Sequence, residues 1–196
     1  VSILDQIHQR AAANPQHIVL PEGEDPRTVI AASAAARQRL AKITVLGSED
    51  KVRDAARQAN ADLGGVDVID HQRASDFDKM VALLYDARRA KGMTIDEARN
   101  ALRDPLYYGN LMVRSGRADG SVAGATNTTS HTVRAALHCI GVRPGFKLVS
   151  SFFLMVTRDP NVGSNGAMIY ADCGVVIEPS AAELAEIAIA SADSCR

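Results

Sequence analysis

The residue types best suited to chemistry lie in one stretch, Asp119–Leu137, which reads DGSVAGATNTTSHTVRAAL. Gly124 opens a loop of small residues carrying Thr126, Asn127, Thr128, Thr129 and Ser130. A loop without bulky side chains lets an anion approach backbone N–H groups, and a helix start behind it adds partial positive charge. Four hydroxyls and an amide can bond phosphate oxygens. Arg134, four residues beyond Ser130, can supply a full charge in a bidentate fork. An ordinary strand–loop–helix corner, in which Ser130 merely caps a helix, accounts for the pattern equally well. The loop fits neither the Walker pattern nor GxGxxG, so it is not a nucleotide fingerprint.

Other candidates are thinner. Arg88-Arg89-Ala90-Lys91 is a basic turn that a solvated helix end also explains. The histidines His8, His17, His71, His131 and His138 show no metal-ligand spacing, and neither a GxSxG elbow nor an HExxH helix occurs, so no metal site is expected. Asp172 and Cys173 stand at the end of an expected strand, where a buried structural thiol is the better reading of Cys173 than a nucleophile. Cys139, Cys173 and Cys195 are an odd number without CxxC spacing, which argues against a disulfide framework or zinc.

Composition limits the function classes. The chain has 196 residues, 46% hydrophobic and 23% charged, with a net charge of −1. That describes a soluble globular protein with a sizeable core, and a cytoplasmic one by default. Lys and Arg are spread along the sequence, so neither a nucleic-acid groove nor a membrane-binding face is expected. No apolar run approaches the ~20 residues of a membrane span.

The elements that must position the loop follow in order. Helical spacing is expected over Ile3–Ala13, Arg27–Leu40 and Glu49–Asn60, and strands over His17–Leu20, Lys42–Leu46 and Val66–Ile69. Asp25-Pro26 reads as an N-cap followed by proline at the first helical position. Alternation of strand and helix with short links predicts an α/β fold, an open, mostly parallel sheet covered by helices on both faces. Ligands in such sheets sit beyond the strand C-termini, which points at Pro21–Asp25, Gly47-Ser48 and Gly124–Ser130 as neighbouring rims. Ser121–Ala123 is a fourth strand candidate. Between Ser75 and Ser115 the chain is helical, with a capping box at Thr94–Glu97 and a helix start at Asp104-Pro105; Tyr107 and Tyr108 read as core or interface. A turn at Gly141–Gly145 divides residues 1–143, a first α/β domain, from 144–196, the beginning of a second. There Lys147–Val156 and Ala167–Ala171 read as a hairpin, Val175–Ile177 as a further strand, and Ser180–Glu183 as a capping box opening the last helix. That helix has no C-cap glycine before Arg196, which suggests a chain that continues.

Long stretches carry a resemblance as well: IVLPEGEDPRT at 18–28, ITVLGSED at 43–50, ARRAKGMTIDEA at 87–98, DPLYYGNLMVRSGRADGSVAGATNTTSHTVRAAL at 104–137, KLVSSFFLM at 147–155 and IYADCGVVIEPSAAELAEIAIASAD at 169–193. In these the chain resembles the phosphate acetyltransferase (phosphotransacetylase) family. The resemblance implies an isocitrate/isopropylmalate dehydrogenase-like α/β fold of two domains around a cleft, usually a homodimer, without a metal or redox cofactor. It implies reversible acetyl transfer between coenzyme A, a substrate here, and inorganic phosphate, giving acetyl phosphate. Carried over by motif, Arg88 and Arg134 are the expected catalytic residues, and Thr128, Thr129 and Ser130 with Asn127 and Gly124 the substrate-binding ones. The C-terminal region of bacterial NADP-dependent malic enzymes resembles the same family, so a non-catalytic metabolite-binding domain is the alternative, as is a phosphate butyryltransferase-type acyltransferase. Two departures stand out. Ala135 replaces a proline usual after the loop arginine, and family members continue well beyond this length. From that follow weak or no turnover, a general base outside these residues, retained anion affinity in Gly124–Arg134, and exposed apolar surface along Lys147–Ile189.

Overall fold

The computed structural model describes residues 2–195, so the expectation made at Arg196 lies outside the described residues. Two compact units divide them: Ile7–Gly141, and residues 2–6 together with 142–195. The first helix, α1 (Ile3–Ala13), belongs partly to each and buries none of its residues.

In the larger unit β1 (Gln16–Leu20), β2 (Ala41–Leu46) and β3 (Val66–Ile69) pair in parallel, and β4 (Gly120–Ser121) joins the other edge of β1, giving the order β3-β2-β1-β4. Both faces of the two central strands are covered, which is why they read as continuous apolar runs. Alternate residues serve opposite cores. Leu20, Ile43 and Val45 pack with Val29 and Ala32 of α2 (Pro26–Arg37) and with Val52, Ala55 and Ala56 of α3 (Glu49–Gln58). Val19 and Leu46 enter the second core, built from α4 (Phe77–Arg88), α5 (Ile95–Ala101), α6 (Pro105–Arg114) and α7 (Thr129–Cys139). Asp25 caps α2 by accepting the Arg27 N–H, and Thr94 and Glu97 form the expected capping box on α5. Strand β4 is shorter than Ser121–Ala123 suggests. Its pairing is extended mainly by Asp119, whose N–H donates to the His17 carbonyl and whose carboxylate accepts the His17 N–H, both at 2.8 Å.

In the smaller unit β5 (Phe152–Val156) and β6 (Ala167–Ala171) form an antiparallel hairpin, and α8 (Ala181–Ser194) starts with a complete Ser180–Glu183 capping box. Two expected strand segments are not strands, for one reason: side-chain carboxylates take their N–H groups. Glu186 accepts from Lys147 and Leu148, while Asp172 accepts from Ser151, Val175 and Val176. All five residues of β5 are exposed, Phe153 to 58%, and Ile177 and Ile189 are also exposed. A two-stranded ribbon with a bare apolar face is marginal alone. Replacing Phe153 with Lys is expected to reduce self-association of the chain without lowering its melting temperature, read by light scattering beside a thermal scan; unchanged scattering would show that the ribbon is not the sticky surface.

Candidate active site

The three rims anticipated beyond the strand ends are stitched together. The Gly23 N–H donates to the Leu46 carbonyl at 3.0 Å, Gly47 to Ile69 at 3.1 Å, and Ser48 to the Glu24 carboxylate at 3.1 Å. Glycine is required at position 23, because a Cβ there would stand 2.7 Å from the Leu46 carbonyl oxygen. Gly23→Ala must push the turn off β2, and a loss of ~1–3 kcal/mol is expected in urea denaturation.

That turn aims Glu22 into the loop. One carboxylate oxygen accepts from the N–H groups of Gly124 (2.8 Å) and Ala125 (2.7 Å); the other accepts from the N–H groups of Thr126 (2.8 Å) and Asn127 (2.9 Å), the Thr126 hydroxyl (2.9 Å) and the Asn127 side-chain amide (2.9 Å). Glu22 is only 7% exposed. Burial alone would raise its pKa, but the hydrogen bonds from Thr126, Ala125 and Asn127 outweigh that and hold it at about 2. Arg27, forked onto Asp25, donates to the Ala125 carbonyl and ties down the other side of the loop. The anion-binding character expected of the loop is therefore real, but in its first half the anion is the chain's own. The N–H groups of Gly124 and Asn127 are engaged, and what these residues do here is hold the loop.

The second half is open. Thr128, not Ser130, is the N-cap of α7, its hydroxyl accepting from the His131 N–H and lying 3.1 Å from the Ser130 hydroxyl. Thr129 and Ser130 are the first helical residues, so their N–H groups have no acceptor within the helix. All three residues are exposed, as is Arg134 one turn on. Ala135 is fully buried in the core cluster, so the exchange for proline falls on the packed side of α7.

Helix α7 is held along α6 by His131 Nε2 to Asp104 at 2.7 Å, by Arg114 to the Cys139 carbonyl at 2.8 Å, and by the Tyr107 hydroxyl to His138 Nδ1 at 2.9 Å. The last pair is the one on which both expected catalytic arginines act electrostatically. His138 has a lowered pKa, first from burial, then from the positive charges of Arg88, Arg134 and Lys91. Burial raises the pKa of Tyr107, with Arg134 and Arg88 opposing it. Arg88, at the end of α4, is half-buried, and its Nε is fully enclosed without a hydrogen-bond partner. Cations from α4 and α7 thus both bias the protonation of one hydrogen-bonded pair.

Sequence reasoning missed Glu22, seen only as part of the Pro21–Asp25 rim, and the Tyr107–His138 pair. For Glu22 the rule placing ligands beyond strand ends carried the signal; nothing in the sequence pairs Tyr107 with His138. A cleft of about 490 Å³ lies at the same rim, lined by Glu24, Gly47, His71, Arg103, Thr126 and Asn127. The larger hollow along α3 and β3, about 1160 Å³, is lined by Asp54, Arg57 and Leu63 and lies away from these arginines. Cys139 is buried, its thiol pushed up to about 12, which suits a packing role. Cys173 lies 3.3 Å from the Ser151 hydroxyl beside Asp172, whose own pKa burial would raise but whose hydrogen bonds from Gly174, Ser151 and Val175 lower it. Among the described residues no cluster of His, Cys, Asp and Glu could hold a metal ion, and no helix is long and apolar enough to cross a membrane.

Comparison with known proteins identifies the family. A family model described as phosphate acetyl/butaryl transferase matches residues 2–196. The phosphate acetyltransferases of Acetivibrio thermocellus and Paracoccus denitrificans are each 44% identical, covering 99% and 98% of this chain. The chain spans 58% and 57% of their lengths, a little under three fifths. In three dimensions the chain is similar to the EutD phosphotransacetylase from Staphylococcus aureus, with a TM-score of 0.87 at 32% identity over 98% of this chain and 56% of the other. Matched along nearly its whole length in both sequence and fold, this chain belongs to the phosphate acetyl/butaryl transferase family.

Proposed function

We propose that this chain carries the phosphate side of a phosphate acetyltransferase, which moves an acetyl group reversibly between coenzyme A and inorganic phosphate. A phosphate oxygen attacks the thioester carbonyl, the carbon–sulfur bond breaks, coenzyme A leaves as the thiolate, and acetyl phosphate is formed; the reverse reaction retraces these steps. Both partners are anionic, so holding them together requires fixed positive charge. Arg88 and Arg134 are the groups for that task. Thr128, Thr129 and Ser130 bind the phosphoryl oxygens, and Gly124 and Asn127 shape the loop that presents them. The reading extends to a cytoplasmic homodimer working on acetyl phosphate, phosphate and coenzyme A in acetate metabolism, with no metal or redox cofactor.

The observation that carries the proposal is that Arg88 and Arg134, from different helices, both bear electrostatically on the hydrogen-bonded Tyr107–His138 pair. The test, made in a protein of the relatives' full length, is acetylation of coenzyme A from acetyl phosphate, followed as thioester formation. Turnover that Arg134→Ala reduces by ~10–100-fold, the worth of one charge-assisted contact, supports the enzyme. Acetyl phosphate binding without turnover makes the chain a metabolite-binding module. Kinetics unchanged by Arg134→Ala would remove that residue from the site.

A further inference from the structure

We propose that Glu22 determines specificity: its carboxylate fills the first anion seat of the Gly124–Arg134 loop, leaving a second seat that takes one phosphoryl group and refuses a diphosphate. The inference rests on the phosphate reading of that loop. Four successive backbone N–H groups, from Gly124 to Asn127, form the kind of concavity that elsewhere cradles phosphate. Here two carboxylate oxygens take all four, with one hydroxyl and one side-chain amide besides. Six donors saturate the acceptor capacity of a carboxylate, and none of these four N–H groups is left for a ligand.

Glu22 is not on a tether that could swing aside. Its neighbour Gly23 is bonded to β2, too close to Leu46 for even a Cβ. Adjacent to this filled seat begins the open one, made of the Thr129 and Ser130 N–H groups, the hydroxyls of Thr128, Thr129 and Ser130, and Arg134. That set matches the oxygens of a single phosphoryl group. A second phosphoryl group reaching towards Asn127 would find its donors engaged and a buried negative charge behind them.

The experiment measures binding of inorganic phosphate and inorganic pyrophosphate to the wild-type chain and to Glu22→Ala by calorimetry, with backbone amide shifts to locate each anion. In wild type, phosphate should shift Thr129–Arg134 and leave Gly124–Asn127 unmoved. In Glu22→Ala the affinity for pyrophosphate relative to phosphate should rise at least ~10-fold, since the vacated donors are free to make charge-assisted bonds. Formate, a carboxylate small enough for the emptied seat, should reverse that rise in the variant and have no such effect in wild type. Should Glu22→Ala not fold, Glu22→Ser, equally too short to reach the four N–H groups, carries the same comparison, with the ratio moving in the same direction. An unchanged ratio beside a normal phosphate response overturns this inference alone, as do wild-type shifts at Gly124–Asn127. Phosphate that leaves Thr129–Arg134 of wild type untouched brings down the substrate reading as well.

Discussion

Glu22→Gln lowers the stability of the chain by ~3 kcal/mol at pH 7, the worth of holding a carboxyl at about 2 rather than at its usual 4.5. The amide keeps the shape but loses the charge, and its NH₂ group faces donors where an acceptor is needed. Few single changes in this protein leave so many hydrogen-bonding groups without a partner. The pH dependence has a definite sign. The folded pKa is depressed, so the contribution is complete above about pH 4.5 and is lost as pH falls through about 2. Urea denaturation of wild type should therefore show an acid limb in that window, and the limb should be shallower in Glu22→Gln. Hydrogen exchange at Gly124–Asn127 supplies the local readout, with all four amides losing protection together in the variant. Equal stability of the two proteins at pH 7 would show that the carboxylate is not what holds the loop.

The same device recurs in the other unit. Asp172, at the end of β6, takes N–H groups of Ser151, Gly174, Val175 and Val176 and the Ser151 hydroxyl, as Glu22 does at the end of β1. Each carboxylate sits just past a strand and gathers a loop that the sheet itself cannot bond. This pattern divides what was legible in the sequence from what was not. Strands β1 to β3 and helices α2 to α6 announce themselves locally, through apolar runs, the Asp25-Pro26 and Asp104-Pro105 starts and the Thr94–Glu97 box. The parallel sheet then follows from alternation and short links. Glu22 and the amides it binds are separated by 102 to 105 residues, and Asp172 and Ser151 by 21. No local pattern records such pairings. Strand expectations failed at Lys147–Ser151, where N–H groups are claimed from a distance by Glu186 and Asp172, and at Val175–Ile177, where Asp172 just upstream takes the N–H groups of Val175 and Val176. The choice of cap failed for a simpler reason. In Asn127-Thr128-Thr129-Ser130 every residue is a good N-cap, and only the placement of the loop by Glu22 selects Thr128.

A functional effect as large as that at Arg134 is expected at Arg88. Removing it should weaken sulfate binding by ~10–100-fold, the loss of a charge-assisted pair, at little structural cost. The cost is small because its enclosed Nε has no hydrogen-bond partner to lose. An anion beside it would supply that acceptor. His138 reports on the same event. Burial, then Arg88, Arg134 and Lys91, keep it below its ordinary 6.5, so the folded chain holds it neutral while an unfolded chain takes up the proton first as pH falls through that value. His138 thus subtracts stability on the acid side of 6.5, and Arg88→Ala should lessen that subtraction by moving its pKa upward. The other groups facing the ring are Tyr107, bonded to Nδ1, and Arg134 and Lys91, which remain in the variant. A bound dianion acts in the same direction as the mutation by offsetting the cations, so sulfate binding should draw a proton onto His138. Sulfate suits the measurement because it does not itself titrate in this range. Histidine ring resonances followed against pH, with and without sulfate, in wild type and Arg88→Ala, read all four states. If neither sulfate nor Arg88→Ala moves His138, the anion does not bind at this corner, and the two arginines serve the fold rather than a substrate.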